Sequence, residues 1–342
     1  MSNSNLNYLV KGENALFYES GYGCDNGVFL LLRGEKFFIT DGRYFHEAKQ
    51  FVKSDICVLQ SSALLQEASG LINKFAPNAI CIDSCEFSVA EFESFAKNLV
   101  VKTEFEPNLS QKKRVVKTSE EIVLLKEAAR RGKAAFARLS EELDEGLSEV
   151  EINFLAKEIL QNRGELKLSF EPITAINHNA AKAHALPTKE ALKEGDLLLV
   201  DAGVKFGGYC SDLTRTAEFK KGFSFSKEQC FANAKQNEIY NIVKEAQEAA
   251  IKAVKPGVSA KSIDAAAREV ITKAGFGEYF LHSTGHGVGL DIHEFPFINS
   301  KNETILQEGM VFSVEPGIYL AGEFGVRVED VVVVGAQGCE IL

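Results

Sequence analysis

Two segments of this sequence share one order of residue types, and each carries an acidic residue after an apolar run. Residues 195–203 read GDLLLVDAG, and residues 309–317, 114 positions later, read GMVFSVEPG. Asp201 and Glu315 therefore occupy the same place in the two copies. Self-similarity at a fixed separation indicates repeated architecture, so the feature restricts this part of the chain to a fold with two similar halves.

The similarity extends to the segments before each copy. Gly146-Leu-Ser148 has a counterpart in Gly257-Val-Ser259, and the run HALP that begins at His184 has one in the run HEFP that begins at His293. The separations between counterparts, 111, 109 and 114 positions, are close to one another. We predict an internal duplication in which helices, a His-x-x-Pro run and a strand ending in an acid occur twice.

Composition excludes several classes of protein. The chain has 342 residues, enough for two domains, and a formal net charge of -10, which disfavours a nucleic-acid partner because phosphate neutralisation needs a basic surface. No run of apolar residues is long enough to cross a membrane, and the first residues lack a secretory pattern. The seven cysteines are odd in number and scattered. We therefore expect no membrane partner and a reducing, cytoplasmic location.

The first third of the chain has the pattern of an α/β domain. Residues 28–33 and 36–40 are β-rich runs separated by Gly34-Glu35, which predicts a hairpin, and residues 80–83 predict another strand. Residues 44–51 and 63–75 have helix-forming composition. We place the first domain at residues 1–112.

Residues 113–342 are expected to form the second domain, which mixes helices and strands. Thr118 with Glu121 forms a capping-box pattern that predicts a helix to about Leu143. Equivalent patterns at Ser148 and Ser226 predict two later helices, the second running toward residue 254.

A second acidic residue follows each repeated segment. Asp212 comes 11 residues after Asp201, and the two are symmetric about a point between Phe206 and Gly207. A hairpin turning there would place the two carboxylates directly opposite each other, about 4.5–5.5 Å apart at their Cβ atoms. Such a pair needs a shared proton or a cation, unless it lies in water on an ordinary surface hairpin.

Glu329 follows Glu315 after 14 residues and lies in VRVEDVVVV, which reads as a buried strand over residues 326–334. Strand alternation sends Arg327 and Glu329 to one face. A buried carboxylate needs a partner. An ion pair with Arg327 would provide one, but it leaves the other acids unexplained.

His286 adds a nitrogen donor in the glycine-rich segment HSTGHGVG, whose glycines argue against a helix. The four acids and this histidine form a carboxylate-rich set that suits a pair of manganese-like divalent ions. Two such ions can activate water and polarise a carbonyl group. The residues thus predict metal-assisted hydrolysis.

The contexts LLLVDAG, YCSDLTRT, HSTGHGVG, SVEPGIY and GVRVEDVVVV together resemble the pita-bread metallopeptidases, in the branch of the Xaa-Pro aminopeptidases and prolidases. The resemblance covers nearly the whole chain. It implies an α/β creatinase-like N-terminal domain, followed by a duplicated pita-bread α+β catalytic domain.

The resemblance also implies roles for individual residues. Asp201 would bind one metal ion, Asp212 and Glu329 would bridge both ions, and His286 with Glu315 would complete the second. Glu315 would also accept a proton from the attacking water. The remaining implied roles are substrate contact by His184 and His293, proton transfer by His282, and the fixing of a ligand carboxylate by Arg327.

We expect an Xaa-Pro aminopeptidase that acts on peptides with proline in the second position. A dipeptide-limited prolidase is the first alternative, and a catalytically inactive peptide- or protein-binding module on the same fold is an alternative of another class. By resemblance the cofactors are two divalent ions, Mn²⁺ before Co²⁺ or Zn²⁺, and the protein forms a homodimer.

Overall fold

A computed structural model of the protein describes residues 6–342, which divide after Arg114 into two compact units. Each unit has its own hydrophobic core. In the described part of the chain, no helix combines the length and the apolar character that crossing a bilayer requires.

The N-terminal unit is built on one mixed sheet in the order β4-β3-β2-β1-β5-β6. Strands β1, β2 and β3 pair antiparallel, whereas β3–β4, β1–β5 and β5–β6 are parallel. The strands are β1 (Tyr8–Val10), β2 (Gly27–Leu32), β3 (Glu35–Thr40), β4 (Cys57–Gln60), β5 (Ala79–Ile82) and β6 (Lys102–Phe105). The helices are α1 (Glu13–Ser20), α2 (Phe45–Phe51), α3 (Leu64–Phe75), α4 (Val89–Ala96) and α5 (Leu109–Lys113).

The hairpin predicted in this unit is confirmed. Leu32 pairs with Glu35, and the two residues between them, Arg33 and Gly34, have φ angles of 50° and 90°. Two successive left-handed residues give the turn whose twist matches that of paired strands. The strand predicted at residues 80–83 and the two predicted helices are present as β5, α2 and α3.

The second unit combines helices with several small sheets. Its helices are α6 (Ser119–Glu142), α7 (Glu149–Gln161), α8 (Ala234–Ala253) and α9 (Ala260–Lys273). Its strands are β7 (Lys167–Leu168), β8 (Ile173–Ile176), β9 (Leu197–Ala202), β10 (Val204–Phe206), β11 (Tyr209–Cys210), β12 (Leu213–Glu218), β13 (Gly285–Gly287), β14 (Glu294–Ile298), β15 (Val311–Val314), β16 (Gly317–Leu320), β17 (Phe324–Arg327), β18 (Asp330–Val334) and β19 (Cys339–Ile341).

Two of the three predicted helix starts in this unit are confirmed. Thr118 and Ser148 both form complete capping boxes, at the starts of α6 and α7. The start predicted at Ser226 is wrong, because the N-cap of α8 is Asn233, seven residues later. The Ser226 hydroxyl instead donates to the carbonyl of Glu228 within a loop.

The sheets of the second unit place the two repeated segments in similar surroundings. Strand β9 lies between β8 and β12, and β15 lies between β13 and β18. Apolar residues of both sheets pack against helices α8 and α9 in the largest core cluster, and a second cluster packs β9 and β12 against α6 and α7.

Backbone contacts repeat between the two halves. Ser148 forms an isolated antiparallel bridge with Ala191, and Ser259 forms one with Ile305. The amide of Gly195 donates to the carbonyl of Phe219 at 2.8 Å. The amide of its counterpart, Gly309, donates to the carbonyl of Val334 at 2.9 Å. The predicted duplication is therefore present in the backbone as well as in the sequence.

Candidate metal centre

The acids and the histidine singled out in the sequence converge at the ends of neighbouring strands. Asp201 lies within β9 and His286 within β13. Asp212 directly precedes β12, Glu315 directly follows β15, and Glu329 directly precedes β18. The side chains thus come from both halves of the duplication.

The register of the first hairpin differs from the predicted one. Asp201 pairs with Thr214, and the turn is formed by Gly207 and Gly208, whose φ angles are 56° and 88°. Two consecutive glycines tolerate left-handed backbone, so they decide where the chain reverses. Asp212 is therefore a diagonal neighbour of Asp201 on the same face, where side chains remain within reach of each other.

The predicted continuous strand over residues 326–334 is also wrong, because β17 and β18 belong to different sheets and Glu329 lies between them. Val314 pairs with Asp330, and Gly317 pairs with Arg327. Both pairs have the same register, which places Glu315 opposite Glu329 where the pairing is interrupted. The interruption lets two carboxylates lie next to each other without continuing either ladder.

A glycine allows His286 to approach these acids. A Cβ atom on Gly285 would lie 1.8 Å from the carbonyl oxygen of Ser313, so only glycine permits β13 to lie so close to β15. The amide of His286 then donates to the Ser313 hydroxyl at 3.1 Å. This hydroxyl also donates to Oε1 of Glu315 at 3.1 Å.

The central group consists of Asp212, His286 and Glu329, which offer ligand atoms that all lie within 4.8 Å of one another. His286 Nε2 is 3.6 Å from Oδ2 of Asp212 and 3.2 Å from Oε1 of Glu315. The other ring nitrogen, Nδ1, lies 3.1 Å from the carbonyl oxygen of Gly287. A carbonyl only accepts, so Nδ1 carries hydrogen and Nε2 faces the acids as a potential ligand.

Two of the carboxylates are held by one oxygen only. Arg327 donates to Oδ2 of Asp201 at 2.6 Å, and the Thr214 hydroxyl donates to Oε2 of Glu329 at 2.6 Å. The Arg327 guanidinium also donates from Nε to this hydroxyl at 3.1 Å. The ion pair of Arg327 is thus with Asp201, and the Arg327–Glu329 pair weighed in the sequence analysis is not formed in the described chain.

The opposite oxygens, Oδ1 of Asp201 and Oε1 of Glu329, are buried and have no hydrogen-bond partner within residues 6–342. A buried acceptor without a donor is destabilising, by about 1–3 kcal/mol and more for a charged group. A cation bound between the acids would satisfy both oxygens. The donor set therefore fits divalent metal ions, and two such ions match the charge of four carboxylates.

Electrostatics in the metal-free protein support the same conclusion. Burial, together with the neighbouring carboxylates, raises the pKa of Asp212 and of Glu329 well above the usual range. Burial also raises the pKa of Asp201, although the nearby Arg327 opposes this. Burial acts on Glu315 in the same direction, but the hydrogen bond with His286 outweighs it and lowers the pKa of Glu315 to about 2. In the metal-free protein, protons on Asp212 and Glu329 therefore compete with a metal ion for the same carboxylate oxygens.

These side chains line a cavity of about 720 Å³ within the second unit. The cavity is also lined by the three further histidines predicted from the sequence, His184, His282 and His293. The imidazole of His293 packs edge-on against that of His286, with ring centroids 4.2 Å apart. The structure therefore brings together all the predicted site residues.

Both ring nitrogens of His282 are engaged. Nδ1 is 2.8 Å from the carbonyl oxygen of Ser283, and Nε2 is 2.8 Å from the hydroxyl of Tyr319. Arg327 donates to the same hydroxyl at 2.8 Å. Since Nδ1 must donate to the carbonyl, Nε2 accepts from Tyr319 in the neutral imidazole, and burial lowers the pKa of His282 accordingly.

Sequence reasoning did not identify Thr214 and Tyr319 as part of the site. Both have a signal that was available: Thr214 lies two residues after Asp212, on the same face of its strand, and Tyr319 lies four residues after Glu315. Both side chains are buried and contact Arg327. Their contribution became visible only once their hydrogen-bond partners were known.

Residues 123–336 match Metallopeptidase family M24, and residues 6–122 match the Creatinase/Prolidase N-terminal domain. The chain belongs to metallopeptidase family M24. The resemblance to pita-bread metallopeptidases inferred from the sequence is thereby confirmed, as is the fold class with a creatinase-like N-terminal domain. The protein is an enzyme of the metallopeptidase class, for which divalent metal ions are implied.

Several proteins similar to this chain are named as Xaa-Pro dipeptidases or as an X-Pro aminopeptidase. The chain is 41% identical over 229 residues to an Xaa-Pro dipeptidase from Pyrococcus furiosus, an alignment that spans 67% of this chain and 63% of that relative. It is similar in structure to the Xaa-Pro dipeptidase from Bacillus anthracis, with a TM-score of 0.90, 32% identity, and coverage of 98% of this chain and 92% of the other. It is also similar to the X-Pro aminopeptidase from Thermotoga maritima MSB8, with a TM-score of 0.87, 31% identity, and coverage of 98% and 94%.

Proposed function

We propose that this protein is an aminopeptidase with two metal ions that hydrolyses the peptide bond between an N-terminal residue and proline. The observation that carries the proposal is the group of four carboxylates and His286 that lines the cavity, in which two buried carboxylate oxygens lack donors among the described residues. The likeness to the Thermotoga maritima aminopeptidase over 98% of the chain supports the choice of substrate.

Asp201, Asp212, His286, Glu315 and Glu329 would hold the metal ions. When bound, two divalent ions activate water and polarise the carbonyl group of the scissile bond. Mn²⁺ is proposed as the physiological ion because carboxylate-rich sites favour it over thiolate-preferring metals; Co²⁺ and Zn²⁺ are the alternatives. Metal analysis of protein purified without added metal tests this choice.

The chain's own residues orient and move the other reactants. Glu315 lies beside His286, with its Oε1 3.2 Å from Nε2 of that ring, and its carboxylate would accept the proton lost by the attacking water. His184 and His293 are exposed in the cavity and are assigned to contact the peptide. Arg327 and Thr214 fix the orientation of Asp201 and Glu329 from outside the site.

The lysine and arginine side chains of the cavity wall support the choice of peptides longer than two residues. A dipeptide places its C-terminal carboxylate inside the cavity, where it needs a positive partner. Among the described residues that line the cavity, the lysine and arginine side chains are those of Lys157 and Arg327. Lys157 is already paired with Glu171, and Arg327 with Asp201.

A dipeptidase restricted to Xaa-Pro is the second candidate function. It is supported by the names of the relatives from Pyrococcus furiosus and Bacillus anthracis, the second of which is similar to this chain over almost its whole length. The two candidates share the metal centre and differ in the length of the peptide that they accept.

Hydrolysis of Ala-Pro-Ala and of Ala-Pro, measured side by side with metal-free protein reloaded with Mn²⁺, tests the proposal. We expect both to be cleaved, with a higher kcat/KM for the tripeptide. Cleavage of the dipeptide alone would establish the second candidate, and cleavage of neither by metal-loaded protein would refute proline specificity. An Asp212→Asn variant, purified in parallel, controls for contaminating peptidases.

We also propose that the protein is a homodimer, as the family resemblance implies. Sedimentation velocity over a range of protein concentrations tests this. A single species with the mass of one 37.5 kDa chain would refute it.

A further inference from the structure

One buried carboxylate in the second unit lies outside the metal centre and has no cationic partner. Glu149, the first residue of α7, has no solvent exposure, and no ion pair involves it in residues 6–342. A buried charge without a counter-ion is stable only when several donors solvate it. The donors that surround Glu149 all come from one segment of chain.

That segment is the His184 loop, defined as residues 177–187, together with the residues at its two ends. The Glu149 carboxylate accepts from the amide of Ile176 at 2.6 Å, just before the loop, and from the amide and the hydroxyl of Thr188 at 2.6 Å each, just after it. It also accepts from Nδ2 of Asn179 at 2.8 Å, within the loop. One carboxylate thus holds both ends of the loop and a point between them.

Further hydrogen bonds connect the Glu149 carboxylate to the surroundings of His184. Nδ2 of Asn179 also donates to the carbonyl of Leu186 at 3.0 Å, which closes the loop on itself. On the other side, Arg327 donates to the carbonyl of Ala183 at 3.2 Å, next to His184. The loop is therefore fixed between Glu149 behind it and the guanidinium that also binds Asp201.

The arrangement requires an acceptor that does not donate. A carboxylate can accept all four bonds, whereas the amide of a glutamine would direct an N–H group toward at least one of these donors. The repulsion would release one end of the loop or its middle. His184 itself is exposed in the cavity. Within the described residues, no hydrogen bond of its imidazole holds the ring in place.

We propose that Glu149 is a positioning residue that places His184 in the substrate cavity. It acts through the loop backbone and touches neither the peptide nor the metal ions. The inference rests on the proposed function in assigning substrate contact to His184, but the rigidity of the loop can be measured independently of that assignment.

The second half of the duplication contains a comparable anchor for a different histidine. Asp264, which is also fully buried, accepts from the amide and the hydroxyl of Thr284 at 3.2 and 2.9 Å. Its partner Arg268 donates to the carbonyl of His282 at 3.0 Å. Because this anchor holds the His282 segment and not the His184 loop, Asp264→Asn is a matched control for a buried carboxylate lost elsewhere.

The first experiment is amide hydrogen exchange followed by mass spectrometry, on metal-free wild type, Glu149→Gln and Asp264→Asn. We expect exchange in residues 177–187 to accelerate by about tenfold or more in Glu149→Gln and to remain as in wild type in Asp264→Asn. Unchanged exchange in the loop of a folded Glu149→Gln protein would overturn the proposal, whether or not the enzyme cleaves Xaa-Pro bonds.

The second experiment is a double-mutant cycle with His184→Ala, using the metal-loaded enzyme and Ala-Pro-Ala. Because misplacement of a group by about 1 Å can reduce the rate up to about 100-fold, we expect Glu149→Gln to lower kcat/KM by about 10- to 100-fold. In the His184→Ala background the same change should lower it by less than about threefold, with unchanged metal content. Equal losses in both backgrounds would mean a merely structural role and would overturn the proposal.

Thr188→Val serves if Glu149→Gln does not fold. It removes one of the four donors, from an exposed residue, and preserves the shape of the side chain. The same two measurements should change in the same direction by a smaller factor. Thr188→Val with wild-type exchange in the loop and wild-type kcat/KM would overturn the proposal, whereas failure of the wild type to cleave Ala-Pro-Ala would refute only the proposed function.

Discussion

The hydroxyl of Thr214 is expected to control metal affinity without binding metal. It donates to Oε2 of Glu329 at 2.6 Å and accepts from Nε of Arg327 at 3.1 Å, and the residue is fully buried. Thr214→Val replaces this hydroxyl with a methyl group of similar size. The ionised form of Glu329, which a metal ion requires, then loses its donor.

The magnitude follows from the charge on the acceptor. A hydrogen bond to a charged group contributes about 1.5–3 kcal/mol, and 1.4 kcal/mol corresponds to a tenfold change in an equilibrium constant. The protonated form of Glu329 in the metal-free protein depends less on this donor, so most of the loss falls on the metal-bound state. We expect Thr214→Val to bind Mn²⁺ about 10- to 150-fold more weakly.

Thr216→Val is the matched control for this experiment. Thr216 lies two residues further along β12, is equally buried, and has a hydroxyl that donates to the carbonyl of Arg327 at 2.9 Å without contacting a carboxylate of the site. Competition titration with a metal-binding dye at constant pH measures the affinity of each variant. Equal Mn²⁺ affinities for Thr214→Val and Thr216→Val would refute the reasoning.

Three further predictions concern pH, a second buried charge and metal removal. Because burial raises the pKa of Asp212 and Glu329, protons compete with metal as the pH falls, so Mn²⁺ should bind at least about tenfold more weakly at pH 6 than at pH 8; the same affinity at both would contradict this. Lys117 and Glu294 form an ion pair in which both side chains are 1% exposed, so Lys117→Met should lower the free energy of unfolding in urea by about 3–5 kcal/mol. Lys126→Met, which breaks an exposed pair, should change it by no more than about 1 kcal/mol. Chelation should abolish hydrolysis and lower Tm, with recovery of both on adding Mn²⁺, and activity that survives full metal removal would exclude the proposed mechanism.

The sequence alone determined the elements whose signals are local. Hairpin β2–β3 follows from a glycine between two β-rich runs, and helices α6 and α7 follow from capping boxes that act within four residues. The duplication was also readable, as was the set of acids and His286 that the structure brings together, because acids and glycines at repeated positions keep their order along the chain. These features depend on contacts between near neighbours or on residue type.

Only the tertiary structure decided how the site is assembled. The hairpin that carries Asp201 turns at two glycines, so its register is shifted from the predicted one, and Glu329 lies at a break between two sheets. The partners of three further residues also depend on the packed chain: Thr214 bonds to Glu329, Tyr319 to His282, and Glu149 to the His184 loop. Their physical reason is the same: a buried charge is stabilised by whichever donors the packed chain brings near it, and those donors are set by the packing of the whole unit.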